Sequence, residues 1–307
     1  MLLVIAGSLL IRSQDRARLP ANSSAKAVPP ELQAYVGAQS IVEKEPKELV
    51  SIYPQLRNML FVSDPQQLSS LLDKVGEQVE AIWKNISNTS SEETIRQQCG
   101  YLRTKYWHES WQRFLYLITP RQDTADAELE EFRSNSKGEP MENKRMENSC
   151  MVTSGFVSQL LLFHPKSRSA VAYRLLGQPA EQPNLWIIAF AQNPQNPTLT
   201  GTFRVGDRQI ILLVQGLAWI DAEAMQVTRL RTDLLAPRED VDLSVHTSEI
   251  SYSGVRFSSD SDRIFWLPKE VQVTIKWNRW QFSNRHRYSH YKLFSVEAQE
   301  GEKRILK

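Results

Sequence analysis

Val271-Gln272-Val273-Thr274-Ile275-Lys276-Trp277 is followed by Asn278-Arg279 and then by Trp280-Gln281-Phe282. Apolar and polar residues alternate over 271–277, the signature of a strand with one buried face. Asn278-Arg279 reads as a two-residue hairpin turn into a second strand, Gln281–Tyr288. Outward from this hairpin the same texture recurs at Ala170–Leu176, Leu185–Gln192, Leu199–Val205, Gln209–Val214, Met225–Leu234, Leu243–Tyr252 and Lys292–Val296. Asp221-Ala222-Glu223-Ala224 takes the turn position before Met225–Leu234. Connections this short do not fit parallel pairing, whose crossovers need about a dozen residues each. The sheet is therefore expected to be antiparallel. Tyr101, Tyr106, Trp107, Trp111, Phe114, Tyr116 and Ile118 predict further strands upstream, with one more at Leu129–Arg133 inside a polar, acidic stretch, 123–149.

Helical spacing is concentrated before residue 90. Asp64 suits an N-cap and Pro65 the first helical position. Leu68, Leu71, Leu72, Val75, Val79, Ile82 and Ile86 then recur at three- and four-residue intervals. This predicts an amphipathic helix of about twenty residues, weakened at Gly76 and broken by Asn88-Thr89-Ser90. A shorter helical piece is expected within Lys47–Phe61, and another from Ser154 to Phe163, stopped by Pro165. Helices segregated from strands point to α+β, with helices laid on one face of a large antiparallel sheet.

The chain has 307 residues, 41% hydrophobic and 23% charged, within the globular range, and its net charge of +2 leaves no electrostatic footprint for nucleic acid. Met1 to Ile11, MLLVIAGSLLI, has the length of a signal-peptide core and is too short to span a bilayer. Its charges, Arg12, Asp15, Arg16 and Arg18, follow it rather than precede it. Two readings stand: an export signal that has lost its basic end, or a buried or membrane-touching segment. Ala25-Lys26-Ala27 has cleavage-site spacing, and 12–47 reads as a poorly ordered linker with Pro20, Pro29, Pro30 and Pro46. Export is the reading adopted. Cys99 and Cys150 either pair in an oxidising compartment or stand as separate buried thiols.

Catalytic signatures are sparse. His286 and His290 share one face of a strand by even spacing, and with His246 or Glu249 they form a candidate metal site. A solvated, arginine-rich strand end accounts for the same spacing, and His108 and His164 read as structural. Nucleophile elbows and glycine-rich phosphate loops are missing. Glu130 and Glu131 read as solvated surface carboxylates. From Lys276 to the end, Lys and Arg interleave with Trp277, Trp280, Phe282, Tyr288, Tyr291 and Phe294. That mixture suits single-stranded nucleic acid or anionic lipid, but the outer face of an ordinary strand explains most of it. A curved sheet under a helix leaves an apolar wedge, and such wedges bind hydrophobic ligands. The expected lining is Leu72, Val79, Trp83, Trp186, Trp219 and Trp266.

The C-terminal half also carries a family pattern. Gly201-Thr202-Phe203-Arg204-Val205, Leu213-Val214-Gln215-Gly216-Leu217-Ala218-Trp219-Ile220-Asp221, Arg229 to Pro237, Phe265 to Val271 and Asn284-Arg285-His286-Arg287-Tyr288 stand in order. With Pro54-Gln55-Leu56 and Lys74-Val75-Gly76 they resemble a family of uncharacterised exported bacterial proteins, over about residues 50 to 297. More distantly, the order of elements is similar to the outer-membrane lipoprotein-sorting carrier (LolA-like) fold. That resemblance implies a half-barrel whose concave face is covered by helices and holds acyl chains; this chain is longer. The expectation is an α+β domain over 48–300 behind an apolar segment and linker, 1–47. It is expected to be a non-catalytic, periplasmic or exported protein without cofactor, carrying a lipid or acylated protein between helix and sheet. An envelope interaction module without ligand, partnered by an envelope protein, is the alternative. A metal-dependent hydrolase is the third reading.

Overall fold

The computed structural model describes residues 4–11, 28–104, 107–120, 129–135, 141, 150–197, 199–257, 260–294, 296–299 and 302–305. The first strand is β1 (Val4–Ile11), followed by α1 (Pro46–Ile52), β2 (Met59–Phe61) and α2 (Pro65–Asn85). Then come β3 (Thr89–Tyr101), β4 (Trp107–Pro120), β5 (Leu129–Ser134) and β6 (Val152–Thr153). The C-terminal half supplies β7 (Val171–Pro179), β8 (Leu185–Gln192), β9 (Leu199–Val205), β10 (Arg208–Leu212), β11 (Val214–Asp221) and β12 (Val227–Leu234). Three long strands follow, β13 (Leu243–Phe257), β14 (Asp260–Trp277) and β15 (Trp280–Leu293), and then a short separate hairpin of β16 (Val296–Gln299) and β17 (Glu302–Ile305).

Eleven strands form one sheet in the order β2-β7-β8-β11-β12-β13-β14-β15-β3-β4-β5, every pair antiparallel. Its two edges, β2 and β5, do not pair, so the sheet stays an open half-barrel. Register shifts along β7, β11, β13 and β15 mark the bulges that bend it. The α+β half-barrel is thus the observed architecture. A second sheet, β10-β9-β1-β6, was not anticipated. In it β1 lies between β9 and β6, so residues 4–11 of the signal-like stretch form a strand.

The amphipathic helix forms as its sequence dictates. Asp64 Oδ1 accepts from the backbone N–H groups of Gln66 (3.0 Å) and Gln67 (2.9 Å), and Leu71, Leu72, Val75, Val79 and Ile82 are its buried stripe. Gly76 is no weak point: a Cβ there would stand 3.1 Å from Pro165 Cγ, so the missing side chain admits the neighbouring segment. The Asn278-Arg279 hairpin is present, with Asn278 at φ 53°.

Several expectations need correction. Residues 28–47, read as linker, lie against the sheet, with Leu32, Tyr35 and Ile41 buried. Ser154–Phe163 is a 3-10 turn over 158–163 rather than an α-helix. The strand expected at Lys292–Val296 is divided, since Lys292 and Leu293 end β15 and Val296 begins another short strand. The strand β11 went unread because Leu217, Ala218, Trp219 and Ile220 are buried on both faces, which erases alternation. Gly216 lets β11 approach β12: a Cβ would fall 1.8 Å from the Arg231 carbonyl oxygen. The cleavage-like Ala25-Lys26-Ala27 lies outside the described residues.

Both faces of the sheet are covered over its first half. On the outer face, α1 and its neighbours bring Leu49, Tyr53 and Leu56 onto Leu176, Ile187, Ala189, Leu217 and Trp219. Tyr53 donates to Asp233 Oδ2 (3.1 Å), and Arg174 donates to the Lys44 carbonyl (2.6 Å). On the inner face the main core runs from α2 through Phe156, Leu160 and Phe163 to Leu175, Ile188, Phe190, Ile220, Leu230, Ile250 and Val271.

Candidate functional site

The trough between α2 and the inner face of the sheet is where a ligand was expected. Leu72 and Val79 lie in the main core, and Trp83, Trp186 and Trp266 pack at its margin. Trp219 does not join them. Strand alternation turns it to the outer face, into the α1 cluster, where the Arg229 guanidinium stacks 4.4 Å from its ring.

Nor is the trough empty. The chain's own segment 150–163 runs through it, and α2 packs on the turns 158–163 and 165–167 and on β7. Phe156, Val157, Leu160, Leu161, Leu162 and Phe163 are all 3% exposed or less, so they occupy the space assigned to cargo. Arg168 pairs with Asp73 of α2 (3.1 Å), and Tyr173 donates to the Leu162 carbonyl.

Two devices hold this segment. Cys99 of β3 is disulfide-bonded to Cys150, closing a separation of 51 residues at the start of the segment. Beside it lies a buried polar network. Glu93 accepts two hydrogen bonds from Arg133 (Nη2 at 2.7 Å), one from Tyr288 Oη (2.7 Å) and one from His286 Nδ1 (2.8 Å). Arg133 Nη2 also donates to the Thr153 carbonyl (2.8 Å), and His286 Nε2 meets Thr153 Oγ1 at 2.8 Å. Asn284 donates to Thr153 Oγ1 (3.1 Å) and to the Met151 carbonyl (3.0 Å). Burial alone would raise the Glu93 carboxyl, but Arg133 and His286 outweigh it and hold it down to about 2. For His286 burial wins over Glu93 and lowers its affinity for a proton.

Glu131, read as a surface carboxylate, is buried too. It accepts from Tyr116 and from Ser158, whose backbone N–H stands at 2.8 Å. The sequence signal for this network was parity. Phe282, Asn284, His286 and Tyr288 alternate as one face of β15, and Glu93 shares the parity of Ile95, Gln97 and Cys99.

Glu93, His286 and Thr153 repeat the carboxylate–imidazole–hydroxyl order of a nucleophilic triad. The surroundings oppose that use. Arg133 already neutralises Glu93, Asn284 donates to the hydroxyl, and Thr153 is 2% exposed. The contacts are those of a clamp on residues 151–153.

The metal reading is overturned. His286 is fully buried, whereas a bulge between Ser289 and Lys292 breaks the period and leaves His290 at φ 55° and 67% exposed, beside Glu92. Glu249 pairs with Arg229 on the outer face, away from His246 inside. Among the described residues no group of three His, Cys, Asp or Glu side chains can hold a metal ion. Likewise, no helix among them is long and apolar enough to cross a membrane.

Two spaces remain. An open surface cleft of about 400 Å³ lies between residues 38–43 and β7–β8, lined by Ala38, Ser40, Ser169, Ala172 and Ala191, with Glu43 its one ionisable group. Inside, where the 153–159 stretch meets both sheets, a cavity of about 40 Å³ is bounded by Thr153, Gln159, Thr202, Thr232, His246 and Ser248. It is far too small for an acyl chain as it stands.

No family model matches the chain, and no curated protein does. Two of the solved structures similar to it are these. A LolA superfamily protein from Nitrosomonas europaea is 10% identical, covering 75% of this chain and 94% of that one at a TM-score of 0.31. A DUF1329 family protein from Desulfovibrio piger is 8% identical, covering 76% of this chain and 95% of that one, also at a TM-score of 0.31.

Proposed function

We propose that the protein is a non-catalytic carrier, or binding protein, for an apolar chain such as a lipid or a lipoprotein acyl group. One observation carries this reading. The apolar inner face of an open sheet is covered by a helix, a turn segment and a smaller four-stranded sheet, not by a second sheet of equal extent. Residues 156–163 then act as an internal occupant of the trough, and cargo replaces their side chains. Each buried methylene contributes about 0.8 kcal/mol, so an acyl chain can offset the loss of those contacts. The Cys99–Cys150 disulfide supports export to an oxidising compartment such as the periplasm.

The test is extraction of protein purified without detergent, followed by mass spectrometry of the extract. The carrier reading expects an apolar chain near one per protein. A lipid-free protein that also takes up none from vesicles would overturn it. The filled trough favours one second reading, an envelope interaction module without ligand. That module would emerge lipid-free yet cross-link to a defined envelope protein.

A further inference from the structure

The small cavity holds a polar patch on the inner face that the clamp does not use. Thr232 and Ser248 face each other across β12 and β13 with their hydroxyls 2.7 Å apart, and Gln159 Oε1 stands 3.1 Å from Ser248 Oγ. His246 lies two residues from Ser248 on the same strand face, and both ring nitrogens are sealed from solvent with no hydrogen-bond partner on another described residue. A neutral imidazole presents one donor and one acceptor, and burying either without a partner is costly. The void beside the ring, about 40 Å³, admits about three water-sized groups. Its lining includes no Lys, Arg, Asp or Glu. Such a site satisfies a group that donates and accepts, and offers no counter-charge to an anion, whose unpaired burial is costly.

Resting on the carrier reading, we propose that this cavity seats the uncharged polar end of the ligand, a hydroxyl or an N–H-bearing amide. The hydrocarbon chain runs along the surface that Phe156 and its neighbours now cover. Because Phe156 and Gln159 form one wall, moving their segment opens the seat into the trough. Burial keeps His246 neutral near pH 7, lowering it to about 4, so the seat stays uncharged under ordinary conditions.

The test is calorimetric titration of the full chain at pH 7.5 with 1-dodecanol and with laurate, which share a chain length and differ in end group. Dodecanol is expected to bind at least tenfold more tightly. His246→Phe and Ser248→Ala are each expected to weaken dodecanol about tenfold and leave laurate unchanged, while His246→Asn, which keeps a donor and an acceptor, retains the preference. Should His246→Phe fail to fold, Ser248→Ala and His246→Asn give the same reading. Equal affinity for the two probes, tighter laurate, or dodecanol binding indifferent to the folded variants overturns the seat and leaves the carrier reading standing. Failure of both probes to bind, with lipid-free protein, overturns the carrier reading and the seat with it.

Discussion

The inner face of the large sheet is built in two contrasting ways. Across β7, β8 and β11 it is hydrocarbon: Leu175, Ile188, Phe190, Ala218 and Ile220. Across β15, β3 and β5 it is polar and just as buried: Asn284, His286, Glu93, Gln97 and Arg133. The apolar half asks only that its neighbours be oily and of suitable volume, a demand an acyl chain meets as well as Leu160 or Phe163 does. The polar half accepts one arrangement, because each of its groups needs a particular partner. One region supplies capacity, and the other fixes where residues 150–153 lie.

The contrast can be broken most strongly on the polar side. Arg133→Met leaves Glu93 buried without its cation and is expected to cost about 3–5 kcal/mol in urea unfolding. A loss under 1 kcal/mol would mean that the clamp is not an ion-pair clamp. Replacing Cys99 and Cys150 together by Ser is expected to cost about 2–4 kcal/mol, since the cross-link no longer restrains the unfolded chain. On the apolar side, Leu160→Ala is expected to cost at least about 2 kcal/mol in lipid-free protein and less when the trough holds lipid. Equal costs in both states would contradict exchange of segment for ligand.

Acid sharpens the comparison. Burial lowers the proton affinity of both His286 and His246, the latter to about 4. The unfolded chain therefore binds protons that the folded one refuses, and stability falls as pH drops below about 6.5, by up to ~1.4 kcal/mol per pH unit for each proton. A second loss is expected below about pH 4.5, as Glu93 protonates in the unfolded state and then, near 2, in the folded one. Melting curves between pH 7 and 5 should flatten in His246→Phe, and slopes parallel to the parent chain would count against this assignment. The smallest expected effect is at the helix cap, where Asp64→Ala should cost about 1 kcal/mol in thermal melts.

Regions with a single buried face were legible in the sequence. The period of Leu71 to Ile82 and the alternation of Val271 to Trp277 each reported one partner surface, so α2 and the β14–β15 hairpin were read correctly. Surfaces buried on both sides were not. Leu217 to Ile220 lost their alternation, and the run Leu160-Leu161-Leu162-Phe163 gave no hint that it fills the trough rather than covers it. The clamp was hidden for another reason. His286 and Glu93 are 193 residues apart, and only the pairing of β15 with β3 brings them together. Their parity among apolar residues marked each as inward-facing, but parity cannot say which inward groups meet.

Hydrogen–deuterium exchange with and without bound 1-dodecanol tests the central claim most directly, because it watches the trough's own occupant. The account predicts that amides of residues 154–163 lose protection when the ligand binds, while β3 and β13 to β15 keep theirs. Unchanged or increased protection at 154–163 in a ligand-bound protein would contradict it.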